Sequence, residues 1–338
     1  MPQWLAASGT ATRALPPRGR VIAAGRVLEH PRSAGAGVRP ADTLPPMDQP
    51  IRPRRSALYL PGSNRRALEK ARALPADVLV FDLEDAVAPA AKAAARESVV
   101  ASLAAGGFGR RERVLRVNGA GTPWAAGDLA AAARSGADAV LLPKVESAEA
   151  VRDAVRVLEA GGAPEGLGLW CMIETPRGVL AAPDIACASS RLACLVMGTS
   201  DLVKDLGARH TPGRGEVATS LGLVLLAARA HGLAALDGVH LDLDDATGFE
   251  AACRQGRDLG FDGKTLIHPR TLEGANRIFA PDEGELAEAR RIVAAHAEAE
   301  AAGLGVTVVD GRLVERLHVE AARRRLALAE AIAELATN

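Results

Sequence analysis

Short apolar runs recur along the chain from residue 56: SALYLPG (56–62), DVLVFDLED (77–85), RVLRVNG (113–119), DAVLLPKVE (138–146), GLWCMIET (168–175), LACLVMGTSDL (192–202), LAALDGVHLDL (233–243) and GKTLIHPR (263–270). Each is nearly continuous, without in/out alternation, as parallel strands covered on both faces are. Between most of them lie alanine-rich stretches with helical spacing, among them NRRALEKARAL (64–74), AAKAAARESVVASLAA (90–105), SAEAVRDAVRVLEAG (147–161) and SLGLVLLAARAHG (220–232). Eight alternations of strand and helix predict an α/β chain folded as a (β/α)8 TIM barrel rather than an open sheet. The link between the fifth and sixth runs leaves little room for a helix.

The barrel pattern occupies residues 51–280, and a C-terminal helical extension follows over 281–338. Residues 1–50 differ from both: rich in Ala, Gly, Pro and Arg, poor in acids and without sustained periodicity, they predict a disordered leader. Such a leader also suits an organellar transit peptide, whereas Met47, just ahead of the first strand, offers an alternative start.

Composition narrows the function. Forty-one Lys and Arg balance forty-one Asp and Glu, so the chain lacks the broad positive field of a nucleic-acid binder. There is no charge-free apolar stretch of roughly 18 residues and no signal-peptide core, so no membrane span is expected, and a cytoplasmic location, or an organellar matrix if the leader targets, follows. Cys171, Cys187, Cys194 and Cys253 form no CxxC pair and read as reduced core thiols.

Reactive groups of such barrels collect at the C-terminal ends of the strands. There this sequence places Tyr59, then Asp82, Glu84 and Asp85, then Arg116 and Asn118, then Lys144 and Glu146, then Glu174, Asp201, Asp237, Asp242 and His268. A carboxylate at a strand end also suits a helix cap or an arginine pair. Glu174 and Asp201 on neighbouring strands, with an arginine on a third, favour a shared ligand. With water completing the shell they suit a hard cation, Mg2+ or Mn2+, better than zinc. Asp82 and Asp85 suit a loop-positioning role equally well. His268, before Pro269, lies in extended backbone where a structural hydrogen bond and a ligand contact are equally open.

The segments RRSALYLPGSNRRALEKA, VFDLEDAV, RVNG, LLPKVES, IETPRGV, GTSDL, DGVHLDLDD and GFDGKTLIHPRTL occur in this order. Together they resemble the HpcH/HpaI aldolase and citrate lyase family over roughly residues 54–325. The likeness is strongest to its CoA-dependent branch: citrate lyase beta-subunit-like proteins and malyl-CoA or citramalyl-CoA lyases. The resemblance implies that Glu174 and Asp201 ligate Mg2+ and that Arg116 meets the substrate carboxylate and the developing oxyanion. It further implies that Tyr59, Arg66, Lys70, Ile267 and His268 line the CoA and substrate site. Arg66 and Lys70, four apart, share a helix face that suits either CoA phosphates or solvent.

The implied reaction is metal-dependent carbon–carbon cleavage, or the reverse, of a 3-hydroxy-dicarboxyl acyl-CoA, giving an acyl-CoA and a 2-oxo acid. A thioesterase step after condensation is left open. The segment VTVVDGRLVERLHVEAARRRL (306–326) resembles a lid that closes over a neighbouring subunit and supplies a catalytic Asp, implying a homotrimer or a pair of trimers. Here that position is Glu315, one methylene longer, and Asp310 before Gly311 is the fallback acid or a turn residue. Two other readings remain: a citrate lyase beta subunit acting on a carrier-protein thioester, and a non-catalytic acyl-CoA-binding barrel.

Overall fold

The computed structural model describes residues 51–337; the leader expected over residues 1–50, with Met47, lies outside the described residues. Eight parallel strands close a barrel in sequence order: β1 (Ser56–Pro61), β2 (Val78–Asp82), β3 (Glu112–Arg116), β4 (Ala139–Leu142), β5 (Gly168–Ile173), β6 (Leu192–Met197), β7 (Ala234–Asp237) and β8 (Gly263–Leu266), with β8 pairing back to β1. The barrel helices are α1 (Arg65–Lys70), α2 (Lys92–Ala105), α3 (Ala125–Ala132), α4 (Ala148–Ala160), α5 (Pro176–Leu180), α6 (Ala182–Ala186), α7 (Thr199–Asp205), α8 (Ala218–Ala230), α9 (Ala246–Leu259) and α10 (Leu272–Phe279). The short β5–β6 link holds only the two five-residue helices α5 and α6.

Two apolar clusters follow from strand geometry, because successive residues face opposite sides of a sheet. Ala57, Val78, Val80, Val114, Ala139, Leu141, Trp170, Met172, Cys194, Val196 and Leu236 fill the barrel interior. Their sequence neighbours, including Leu58, Leu79, Phe81, Leu115, Val140, Cys171, Leu195 and Ala235, pack outward against the helices. Both faces are apolar, so the runs show no alternation although every strand has it.

At the floor, Arg54 forks onto Glu112 (2.6 and 2.8 Å) and its guanidinium lies 5.0 Å from the Trp170 ring centre. The extension comprises α11 (Glu283–Ala301), the antiparallel hairpin β9 (Thr307–Val309) and β10 (Arg312–Val314), and α12 (Arg316–Ala336). Asp282 and Glu285 form a capping box at the start of α11. Asp310 and Gly311 turn the hairpin with φ of +50° and +77°, the left-handed pair of a tight hairpin turn. α12 is tied to the floor by Arg324 to Asp262 and by Glu334 to Arg110. Those partners precede β8 and β3, at the end opposite the mouth.

Three cysteines are buried and free as expected; Cys187 is also free but exposed, at the C-terminal end of α6, which corrects its assignment to the core. No described helix is long and apolar enough to cross a membrane.

Candidate active site

The inward register of the strands selects which polar residues reach the mouth. On β2 it runs Val78, Val80, Asp82; on β3 Glu112, Val114, Arg116; on β5 Trp170, Met172 and then Glu174 just past the strand. Tyr59 continues the inward register of Ala57 and packs against the interior cluster. Asp237 and Lys264 fall on the other register and point into the helix layer. There Asp237 accepts from Lys264 Nζ at 2.7 Å and is gripped by the Arg214 guanidinium. Asp237 therefore ends its strand without entering the mouth, which corrects its placement with the candidate acids. Burial works against its charge, but the Lys264 and Arg214 cations overcome this and hold the carboxyl below its usual range. Burial pulls Lys264 down although Asp237 supports its charge; with two cations on one carboxylate, it is the ammonium that is destabilised.

Arg116 is the hub of the opposite wall. It forks onto Asp82 (2.7 and 2.6 Å), lies 2.8 Å from Glu84 and 3.3 Å from Asp85, and its guanidinium sits 4.7 Å from the Tyr59 ring centre. Asp82 also accepts from the backbone N–H groups of Glu84 and Ala86, so it positions both the loop and the arginine. The Tyr59 hydroxyl is buried without a partner, a donor that a bound ligand would satisfy. Burial holds its proton on more tightly than usual. Asn118 turns instead to Asp128 on α3 (2.6 Å), which also pairs with Arg96, and is structural.

Glu174 and Asp201 come from adjacent strand ends, but Asp201 lies in the first turn of α7, four residues past β6, rather than on the strand. Glu174 is buried, and its Oε1 accepts from the Lys144 backbone N–H at 2.7 Å. Its side chain fits because residue 198 is glycine: a Cβ there would lie 2.3 Å from Glu174 Cβ and 2.6 Å from its Oε2. The Lys144 ammonium stands 3.6 Å from both Glu84 and Asp201. Burial, with Glu84 adding to it, pushes Glu174 up to about 8. Burial also pushes Glu84 up to about 7 against the pull of Arg116.

These acids fit a hard divalent cation. Glu174 has one oxygen fixed by the Lys144 amide and the other beside Gly198. Glu84 and Asp201 both stand within reach of the Lys144 ammonium, so three carboxylates cluster where a cation would meet oxygen donors. Among the described residues no group of three or more His, Cys, Asp or Glu closes a metal cage, so water and substrate would complete the shell.

The remaining candidates are dispersed around this centre. Ile267 is half-exposed on the inward register after β8; His268 is exposed and its Nδ1 accepts from the Arg270 N–H, capping the Pro269–Thr271 turn. Arg66 and Lys70 are exposed on α1, and no hydrogen bond links them to the mouth. Glu315 is exposed at the start of α12, where its N–H donates to His318 Nδ1, and this chain does not bring it to Glu174 or Arg116. Asp310 pairs with Arg291 at 2.9 Å and serves the hairpin turn. Gly198 escaped functional assignment from sequence, and Lys144 was placed at its strand end without a role. The signal for Lys144 is its φ of +50°, visible only in the backbone.

The family model for HpcH/HpaI aldolase/citrate lyase matches residues 55–269. A (3S)-malyl-CoA thioesterase of Cereibacter sphaeroides (strain KD131 / KCTC 12085) is 53% identical over 281 residues, 83% of this chain and 96% of that one. A citrate lyase subunit beta of Escherichia coli (strain K12) is 38% identical over 284 residues, 82% of this chain and 94% of that one. Among solved structures, the protein CitE from Mycobacterium tuberculosis in complex with magnesium, acetoacetate and coenzyme A superposes with a TM-score of 0.66 at 32% identity, covering 81% of this chain and 97% of that one. A closed eightfold barrel, an acid pair at its mouth and a match over most of its length place this chain in the HpcH/HpaI aldolase/citrate lyase family of enzymes.

Proposed function

We propose that the chain is a Mg2+-dependent enzyme, with Mn2+ as a substitute, acting on a 3-hydroxy-dicarboxyl acyl-CoA of the malyl-CoA type. The observation that carries this is the convergence of Glu174, Asp201, Glu84 and Arg116 on one mouth. Glu174 and Asp201 would hold the metal, which when bound supplies a Lewis acid for the hydroxyl and carboxylate of the malyl half. Arg116, already oriented by Asp82 and stacked on Tyr59, presents a fixed cation to charge forming on the thioester oxygen. Ile267 would supply an apolar wall, and the exposed His268, Arg66 and Lys70 would meet the CoA moiety.

Thioester hydrolysis, releasing malate and free CoA, is the first reading, supported by the 53%-identical malyl-CoA thioesterase. Glu84, exchanging its proton near neutral pH, suits the base that activates water. Carbon–carbon cleavage, which the resemblance implies, becomes the second reading, supported by the likeness to citrate lyase subunit beta. It draws on the lid acid, where Glu315 replaces the shorter Asp. The exposed Leu304, Val306, Val308, Leu313 and Leu317 around the hairpin support a lid seated on a neighbouring subunit, with Glu315 acting in trans in a homotrimer or hexamer.

The test is product analysis from malyl-CoA with Mg2+ or EDTA. Metal-dependent free thiol without glyoxylate is expected. Glyoxylate with acetyl-CoA would establish the lyase instead. Neither product from malyl-CoA, citramalyl-CoA or citryl-CoA would refute the proposal.

A further inference from the structure

Lys144 follows Pro143 at the end of β4 with φ of +50°, a left-handed conformation that a lysine adopts only when its surroundings hold it there. Two contacts do so. Its backbone N–H donates to Glu174 Oε1 at 2.7 Å, and the next amide, of Val145, donates to the Met172 carbonyl at 3.2 Å. The turn sends amide and side chain into the same basin. The ammonium stands 3.6 Å from Glu84 Oε1 and 3.6 Å from Asp201 Oδ2. Both distances exceed a hydrogen bond, so the ammonium is held by charge rather than by directed bonds. The side chain is 45% exposed, free to swing outward. Arg116, the other cation of the basin, is fixed by its fork on Asp82.

From this geometry we infer that Lys144 has two separable roles toward the metal site proposed above, on which this inference rests. The backbone N–H positions Glu174 with or without metal. The ammonium is a tethered counter-ion that holds Asp201 and Glu84 together in the metal-free protein and yields Asp201 when a divalent cation arrives. Lys144 is thus a positioning residue whose charge sets the metal affinity downward and preserves the acid cluster in the absence of metal.

The test strips the full chain with EDTA and titrates Mn2+, following bound metal by its electron paramagnetic resonance signal, with melting temperature measured in parallel. Lys144→Met keeps the amide and removes the charge. It is expected to bind Mn2+ about tenfold more tightly, the effect of deleting one like charge at this range. Its metal-free form should melt below the metal-free wild type and gain more on saturation. Lys144→Arg should restore wild-type affinity. Lys144→Gly, which suits the positive φ, should match Lys144→Met and keeps the test readable if methionine strains the turn. Wild-type Mn2+ binding with unchanged or weaker affinity in Lys144→Met and Lys144→Gly overturns this inference alone. Absence of saturable Mn2+ binding in the wild type overturns the metal site and this inference together.

Discussion

Replacing Gly198 by alanine adds one methyl group at a position whose φ of −102° any residue adopts, so the outcome is steric. The new Cβ would lie 2.3 Å from Glu174 Cβ, 2.6 Å from Oε2 and 3.2 Å from Cδ. Ordinary carbon contacts begin near ~3.5 Å, so the two strand ends must part by about 1.2 Å or Glu174 must leave its place. Glu174 Cβ is attached to the end of β5 and is no flexible tip, so relief has to come from backbone movement or loss of the Lys144 bond. Overpacking of this kind costs about 1–3 kcal/mol of stability. A ligand displaced by about 1 Å lowers turnover on the order of 100-fold. Calorimetric melting, Mn2+ titration and malyl-CoA turnover of Gly198→Ala report these separately. Gly222→Ala is the control: on α8, with nothing within 4 Å of its added Cβ, it should stabilise by about 0.5–1 kcal/mol and leave metal binding unchanged. Wild-type Mn2+ affinity and turnover in Gly198→Ala would refute the assignment of Glu174 as a ligand held by this cradle.

The raised carboxyls give the metal-free protein a defined pH dependence. Unfolded glutamates ionise near 4.5, whereas Glu174 and Glu84 in the fold hold their protons to about 8 and about 7. The unfolded state therefore binds fewer protons across that window, and stability falls as pH rises from 4.5 to 8, by on the order of a few kcal/mol. Melting temperatures from pH 5.5 to 8.5 should show this fall without metal, a smaller one with Mg2+, and a weakened one in Glu174→Gln. Arg116→Lys loses the fork on Asp82 and the stack on Tyr59. It should lower turnover on the order of 100-fold and stability by about 1–3 kcal/mol, read from kinetics and urea melts. Lys264→Met leaves Arg214 as the one cation on buried Asp237. It should cost about 2–4 kcal/mol in urea unfolding while leaving Mn2+ affinity intact, because that network faces the helix layer.

The barrel was legible in the sequence because both faces of each strand are apolar and the helices between them carry their own period. The same feature hid the register. A continuous run such as LAALDGV (233–239) does not show which way Asp237 points; its lysine and arginine partners come from β8 and from the loop before α8. The acid pair was legible at the level of strand ends, but GTSDL reads as a continuation of the strand, whereas Asp201 lies in the first turn of α7. Gly198 and the role of Lys144 were illegible for a different reason. Gly198 contributes a missing Cβ, and the backbone angle that turns the Lys144 amide onto Glu174 is likewise announced by no side-chain pattern. At the C-terminus, DG (310–311) reads equally as an acid and as a hairpin turn, and Arg291 with the two positive φ angles settles it as the turn.

Equilibrium dialysis of Mn2+ against the EDTA-stripped wild type, Glu174→Gln and Asp201→Asn tests the mouth most directly. One Mn2+ per wild-type chain is expected, with the affinity falling by an order of magnitude or more in each variant while the melting temperature of the metal-free form holds or rises. Equal Mn2+ binding by all three would contradict a site built on Glu174 and Asp201.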